Sequence, residues 1–173
     1  MKFKRNTTKM GALPLIAMLF FCINMNAQVK VKELKNFDMT KYVFSDSAGH
    51  AASIKDLKGK YVLLDVWASW CRPCISRFPE FDALKSAFKD KHIVFLQLSC
   101  DSQERRWRNE MGFTGRHGDQ WFINGNHDFM VELDVATIPR YMLIDKKGRL
   151  IDPRVEWKDN EQMSALLSKL KGI

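Results

Sequence analysis

Two cysteines three residues apart, Cys71 and Cys74, enclose Arg72 and Pro73. Their spacing suits thiol–disulfide exchange if the pair opens a helix. There the unpaired N–H groups and the partial positive charge of the first turn stabilise a thiolate. Cys71, at the tip, is expected to be exposed and to titrate below the free value of about 8.5. Arg72 adds positive charge beside it. Cys74, one turn inside, is placed to attack a mixed disulfide formed at Cys71. Pro73 sits in the first turn, where a missing N–H costs nothing. Other uses of such a pair compete with this one. A structural disulfide over this separation closes a small loop and stabilises little. Zinc needs a second ligand pair, and Cys100, His50, His92, His117 and His127 are scattered along the chain. Copper carriage would want a wider cysteine spacing and a positioned histidine. No metal site is therefore expected.

One acid stands where none should sit freely. Asp65 lies inside Tyr61–Trp67 (YVLLDVW), an apolar run rich in β-formers. Such a run reads as a strand buried on both faces. Burial raises a carboxyl pKa by disfavouring the charged form. Cys100, the remaining thiol after the amino-terminal segment, is expected to be a buried bystander outside the active disulfide.

These residues need elements to position them. The strand Tyr61–Trp67 ends just before Cys71. Ile75, Phe78, Phe81, Leu84 and Phe88 recur at helical spacing, with Pro79 expected to kink that helix without ending it. His92–Leu98 (HIVFLQL) reads as a second buried strand. Asp101 or Ser102 is expected to cap a helix running through Met111. Gly112–Gly125 reads as irregular, and His127–Leu133 as one or two helical turns. Tyr141–Ile144 and Arg149–Ile151 flank Asp145-Lys146-Lys147-Gly148 as a β-hairpin. Asp159 caps a last helix whose apolar face is Met163, Leu166, Leu167 and Leu170. Towards the start, Phe37–Thr40 and Tyr42–Phe44 offer strand material, and Ser45–Gly49 a turn. The order gives an α/β domain: a mixed central sheet with helices on both faces.

The chain has 173 residues and a net charge of +8. Met1–Ala27 reads as a secretory signal peptide: a basic start, an uncharged apolar run over Gly11–Ile23, and a small residue at Ala27. The run is short for a membrane span, although retention as an anchor is the alternative. Bulky Phe20 and Phe21 before Cys22 argue against lipid attachment at that cysteine. The segment carries four of the 28 basic residues and no acid, so the excess without it is +4. That is a solubility charge, not a nucleic-acid footprint. Residues 28–173 are expected to form one domain, exported to the periplasm, with nothing to indicate more than a monomer.

The stretch Asp65-Val66-Trp67-Ala68-Ser69-Trp70-Cys71-Arg72-Pro73-Cys74 resembles the thioredoxin superfamily, specifically its exported TlpA/ResA-like thiol:disulfide oxidoreductases. Pro79 falls at the family's helix-kinking proline. Ile138-Pro139 falls at its cis-proline loop, and Tyr141–Arg149 at the hairpin that follows. The resemblance runs from about Phe37 to the C-terminus, and Asp101–Val135 resembles the segment added in the TlpA/ResA branch. It implies a thioredoxin-like fold and a Cys71–Cys74 dithiol–disulfide cycle needing no other cofactor. It also implies that Asp65 lies under Cys74 and takes its proton when that thiol attacks, and that Trp70, Arg72, Pro73, Ile138 and Pro139 contact substrate. The implied partners are disulfide-containing proteins and a membrane protein that supplies electrons. A thioredoxin-fold thiol peroxidase and a non-enzymatic metal carrier are the alternatives. Peroxiredoxins place a Thr three residues before the reactive cysteine, where this chain has Ala68.

Overall fold

The computed structural model describes residues Leu34–Ile173. The expected signal peptide and Cys22 lie outside the described residues. The sheet is built around β3, Tyr61–Trp67, in which every residue is buried. It pairs in parallel with β4, Ile93–Ser99, and antiparallel with β6, Arg140–Ile144. β7, Leu150–Val155, extends one side, and β5, Gln120–Phe122, the other. Two short strands, β1 (Phe44–Asp46) and β2 (Ala51–Ala52), complete the order β2-β1-β5-β4-β3-β6-β7.

Side chains alternate across a strand, so β3 feeds two cores. Val62, Leu64 and Val66 belong to one, with Trp107 and Met111 of α3 (Glu104–Thr114) and Phe129 of α4 (His127–Glu132). Tyr61 and Leu63 belong to the other, with Phe81 and Leu84 of α2 (Phe78–Ala87) and Met163 and Leu167 of α5 (Asn160–Leu167). Each fully buried Leu or Phe contributes roughly 1.5–3 kcal/mol. This is the expected mixed sheet with helices on both faces. Among the described residues no helix is long and apolar enough to cross a membrane.

The local signals resolve with some corrections. The helix after Cys71 is broken rather than kinked: α1 (Arg72–Ser76) ends at Arg77, and α2 starts at Phe78. Pro79 cannot donate to the carbonyl of Ile75, and the Arg77 N–H turns back to that carbonyl and to Cys74. Met39–Lys41 is a 3-10 turn capped by Asp38, not a strand. β1 instead runs through Ser45 and Asp46, where a turn was expected. The Asp46 carboxylate holds the following turn by accepting from Ala48 N and His50 N. α3 begins later and ends later than expected, at Gly115 in a left-handed conformation. β5 forms inside the stretch expected to be irregular. The hairpin and the Asp159 cap are as read: Asp145 accepts from Lys147 N and Arg149 N, and Asp159 from Gln162 N.

Candidate active site

The loop between β3 and α1 delivers both cysteines. Cys71 N–H bonds to Ala68 O at 2.9 Å, which closes the turn out of the strand. Cys71 is then the N-cap of α1, its sulfur accepting from Cys74 N at 3.3 Å. The two residues form a disulfide, with Cα atoms 5.3 Å apart. Cys71 is less exposed than expected. It retains 4% of its surface against 1% for Cys74. Trp70, Arg72 and Pro73 around it are exposed and form the rim.

The loop before Cys71 is held by a residue that the sequence misassigned. Asp101, expected as a candidate cap for α3, is buried. Its carboxylate accepts from Ser69 N at 2.9 Å, Ser69 Oγ at 2.8 Å and Ser99 Oγ at 2.8 Å. α3 consequently starts at Glu104 without a side-chain cap. A carboxylate that accepts several short hydrogen bonds tolerates burial. Here those bonds tie the end of β4 to the residues that lead into the disulfide.

Asp65 is buried at 2% exposure. Its Oδ2 accepts from Gln97 Nε2 at 2.9 Å, and its Oδ1 has no hydrogen-bond partner among the described residues. Burial pushes its pKa up to about 7, against the opposing pull of the Gln97 hydrogen bond and the Arg116 charge. This matches the acid expected from the apolar run.

The Ile138–Pro139 peptide bond is cis. Ile138 lines a groove of about 410 Å³ with Trp70, Cys100, Met130, Val135 and Thr137. Cys100 is thus half-buried in the wall of the groove that holds Trp70 and Ile138. Its position at the end of β4 could have indicated this, since parallel neighbours end at one edge of a sheet. Burial, then the Asp101 and Asp65 charges, push its thiol up to about 11, so it stays protonated and unreactive at neutral pH. Among the described residues no cluster of three or more His, Cys, Asp or Glu side chains is arranged to hold a metal ion.

The Redoxin family model matches residues 23–168. Thiol-disulfide oxidoreductase ResA of Bacillus cereus is 30% identical over 142 residues, covering 80% of this chain and 77% of that protein. Its counterpart in Bacillus anthracis is 29% identical over 141 residues, with the same coverage. The solution structure of a thiol-disulfide oxidoreductase from Bacteroides vulgatus superposes with a TM-score of 0.67 at 32% identity, covering 73% of this chain and 86% of that one.

Proposed function

We propose, from the premise that this chain belongs to the Redoxin family and is a TlpA/ResA-like thiol:disulfide oxidoreductase, that it reduces disulfides in exported proteins. The observation that carries the reading is the Cys71–Cys74 disulfide at the start of α1, beside an apolar groove that Trp70 and Ile138 line together.

In the reduced protein Cys71 thiolate attacks one sulfur of a substrate disulfide. A mixed disulfide forms and the first substrate sulfur leaves as a thiolate. Asp65 takes the proton from Cys74, whose sulfur attacks Cys71. The Cys71–Cys74 disulfide forms and the second substrate sulfur leaves, so two electrons have passed to the substrate. Trp70, Arg72, Pro73, Ile138 and Pro139 form the contact surface, and the extended substrate segment lies along the backbone at Ile138. The redox-active group is the chain's own disulfide, with no metal or organic cofactor. The segment Met1–Ala27 directs export to the periplasm, and a membrane protein returns electrons to the disulfide. The domain works as a monomer.

Insulin reduction by the protein, with dithiothreitol as the electron source, tests the activity. Turnover lost in Cys71→Ser and kept in Cys100→Ser supports the reading. Equal turnover in wild type and Cys71→Ser overturns it.

A further inference from the structure

Asp65 belongs to a buried polar row that crosses the sheet and reaches the surface. Asp65 on β3 pairs in register with Gln97 on β4, and Gln97 with Gln120 on β5. Register partners share a face of the sheet. Gln97 is fully buried and Gln120 nearly so. Gln97 Nε2 donates to Asp65, while its Oε1 accepts from Gln120 Nε2 at 2.7 Å and from Arg116 Nε at 2.8 Å. Arg116 Nη2 donates to the same oxygen. The Arg116 side chain is 8% exposed, and its guanidinium lies 4.0 Å from the centre of the Phe78 ring and donates to both carboxylate oxygens of Asp82 on α2.

The direction of this row has one source. Each glutamine amide can present either end, because one end donates and the other accepts. Gln97 and Gln120 could therefore reverse together. Gln120 gains little from the present arrangement, since its Oε1 is buried without a hydrogen-bond partner among the described residues. A guanidinium only donates. Arg116 therefore requires the oxygen of Gln97, and that leaves only the Gln97 N–H to face Asp65. An N–H on a carboxyl oxygen favours the ionised form; the reversed amide would favour the protonated one.

We propose that Arg116 is a positioning residue: acting through Gln97, it fixes the hydrogen bond that Asp65 receives and favours the ionised carboxylate. This rests on the reading of Asp65 as the proton acceptor for Cys74. Without this link the buried acid would hold its proton over a wider pH range and accept one from a thiol less readily. Asp65 is also faced by Tyr141 of β6, its register partner on the other side, and by Cys100 at the end of β4. Arg77 and Glu80 act on Tyr141 from the α1–α2 junction, and Asp82 stands behind Arg116. Of the basic groups among these, Arg116 is the one joined to Asp65 by hydrogen bonds through a single side chain.

The test is a carbon-13 NMR titration of the Asp65 carboxyl in the oxidised protein, where no cysteine thiol of the pair titrates. The resonance is assigned by its loss in Asp65→Asn. The wild-type midpoint is expected near 7. Arg116→Met is expected to raise it by about one unit, the lower end of the effect of an opposite charge nearby. Arg116→Lys, which keeps a donor-only cation, is expected to restore most of the shift. An unchanged midpoint in a folded Arg116→Met overturns the proposal. Should that variant fail to fold, Asp82→Asn tests the same link from the surface. Releasing the guanidinium from its carboxylate lowers the Asp65 midpoint, and an unchanged midpoint overturns the proposal. Failure of the catalytic reading is seen separately: Asp65→Asn would then leave disulfide exchange unaltered, whatever the carboxyl titration shows.

Discussion

Burial disfavours the ionised form of both Asp65 and Cys100. For Asp65 the folded pKa stands near 7, against an ordinary value of 3.8. The folded state therefore holds a proton that the unfolded chain has released between about pH 4 and 7. Stability falls as pH rises through that window, and the loss is complete above it. Asp65→Asn removes the loss. Urea unfolding should show the variant more stable at pH 8, by at most about 4 kcal/mol at about 1.4 kcal/mol per unit, and nearly unchanged at pH 4. The same variant should slow resolution of a mixed disulfide in stopped-flow kinetics and leave the first attack by Cys71 less affected. Equal stability gains at both pH values would show that Asp65 ionises freely in the fold. Thiol reactivity follows the same logic. Brief alkylation of the reduced protein should label Cys71 first, at the helix N-cap, and Cys100 last, because its thiol is pushed up to about 11. First labelling of Cys100 or Cys74 would contradict the assignment of the attacking thiol.

At the scale of elements, the fold depends on short connections that place strand ends at the disulfide. Asp101 is the clearest case. Asp101→Ala would leave the Ser69 N–H and two hydroxyls without their acceptor. A cost of about 1–3 kcal/mol is expected, read as a lower urea midpoint with an unchanged slope. Gly148 in the β6–β7 turn is a second case. It has φ +83°, and an added Cβ would lie 2.4 Å from Thr40 Cγ2. Gly148→Ala should therefore destabilise the domain by more than about 1 kcal/mol, from the left-handed conformation and the clash together. A thermal melt unchanged from wild type would show that Thr40 moves aside freely. These elements were unequally legible in the sequence. The runs around Asp65 and His92–Leu98 announced β3 and β4 because a strand buried on both faces must be apolar throughout. The Asp145–Gly148 turn and the Asp159 cap were legible because their side chains bond within a few residues. Asp101 was not, since its partner Ser69 lies 32 residues away. β5 was hidden for the same reason: three residues become a strand only by pairing with β4 and β1. Gln97 and Arg116 carried no signal at all. Their meaning arises from register across three strands.

For the whole molecule, the proposed function has one disulfide on one domain carrying electrons to substrate disulfides, positioned by the rest of the chain. The apolar groove is lined by Trp70 and Ile138, Trp70 adjoins Cys71 in the chain, and Cys74 is the more buried partner. Replacing Cys74 should therefore stop the cycle with substrate still attached. Expressing Cys74→Ala in the native host and identifying proteins joined to it by disulfides tests this most directly. Exported proteins bound through Cys71 are expected, released by dithiothreitol and absent when Cys71 is also replaced. Complexes bound through Cys100, or none attached at Cys71, would contradict the proposed function.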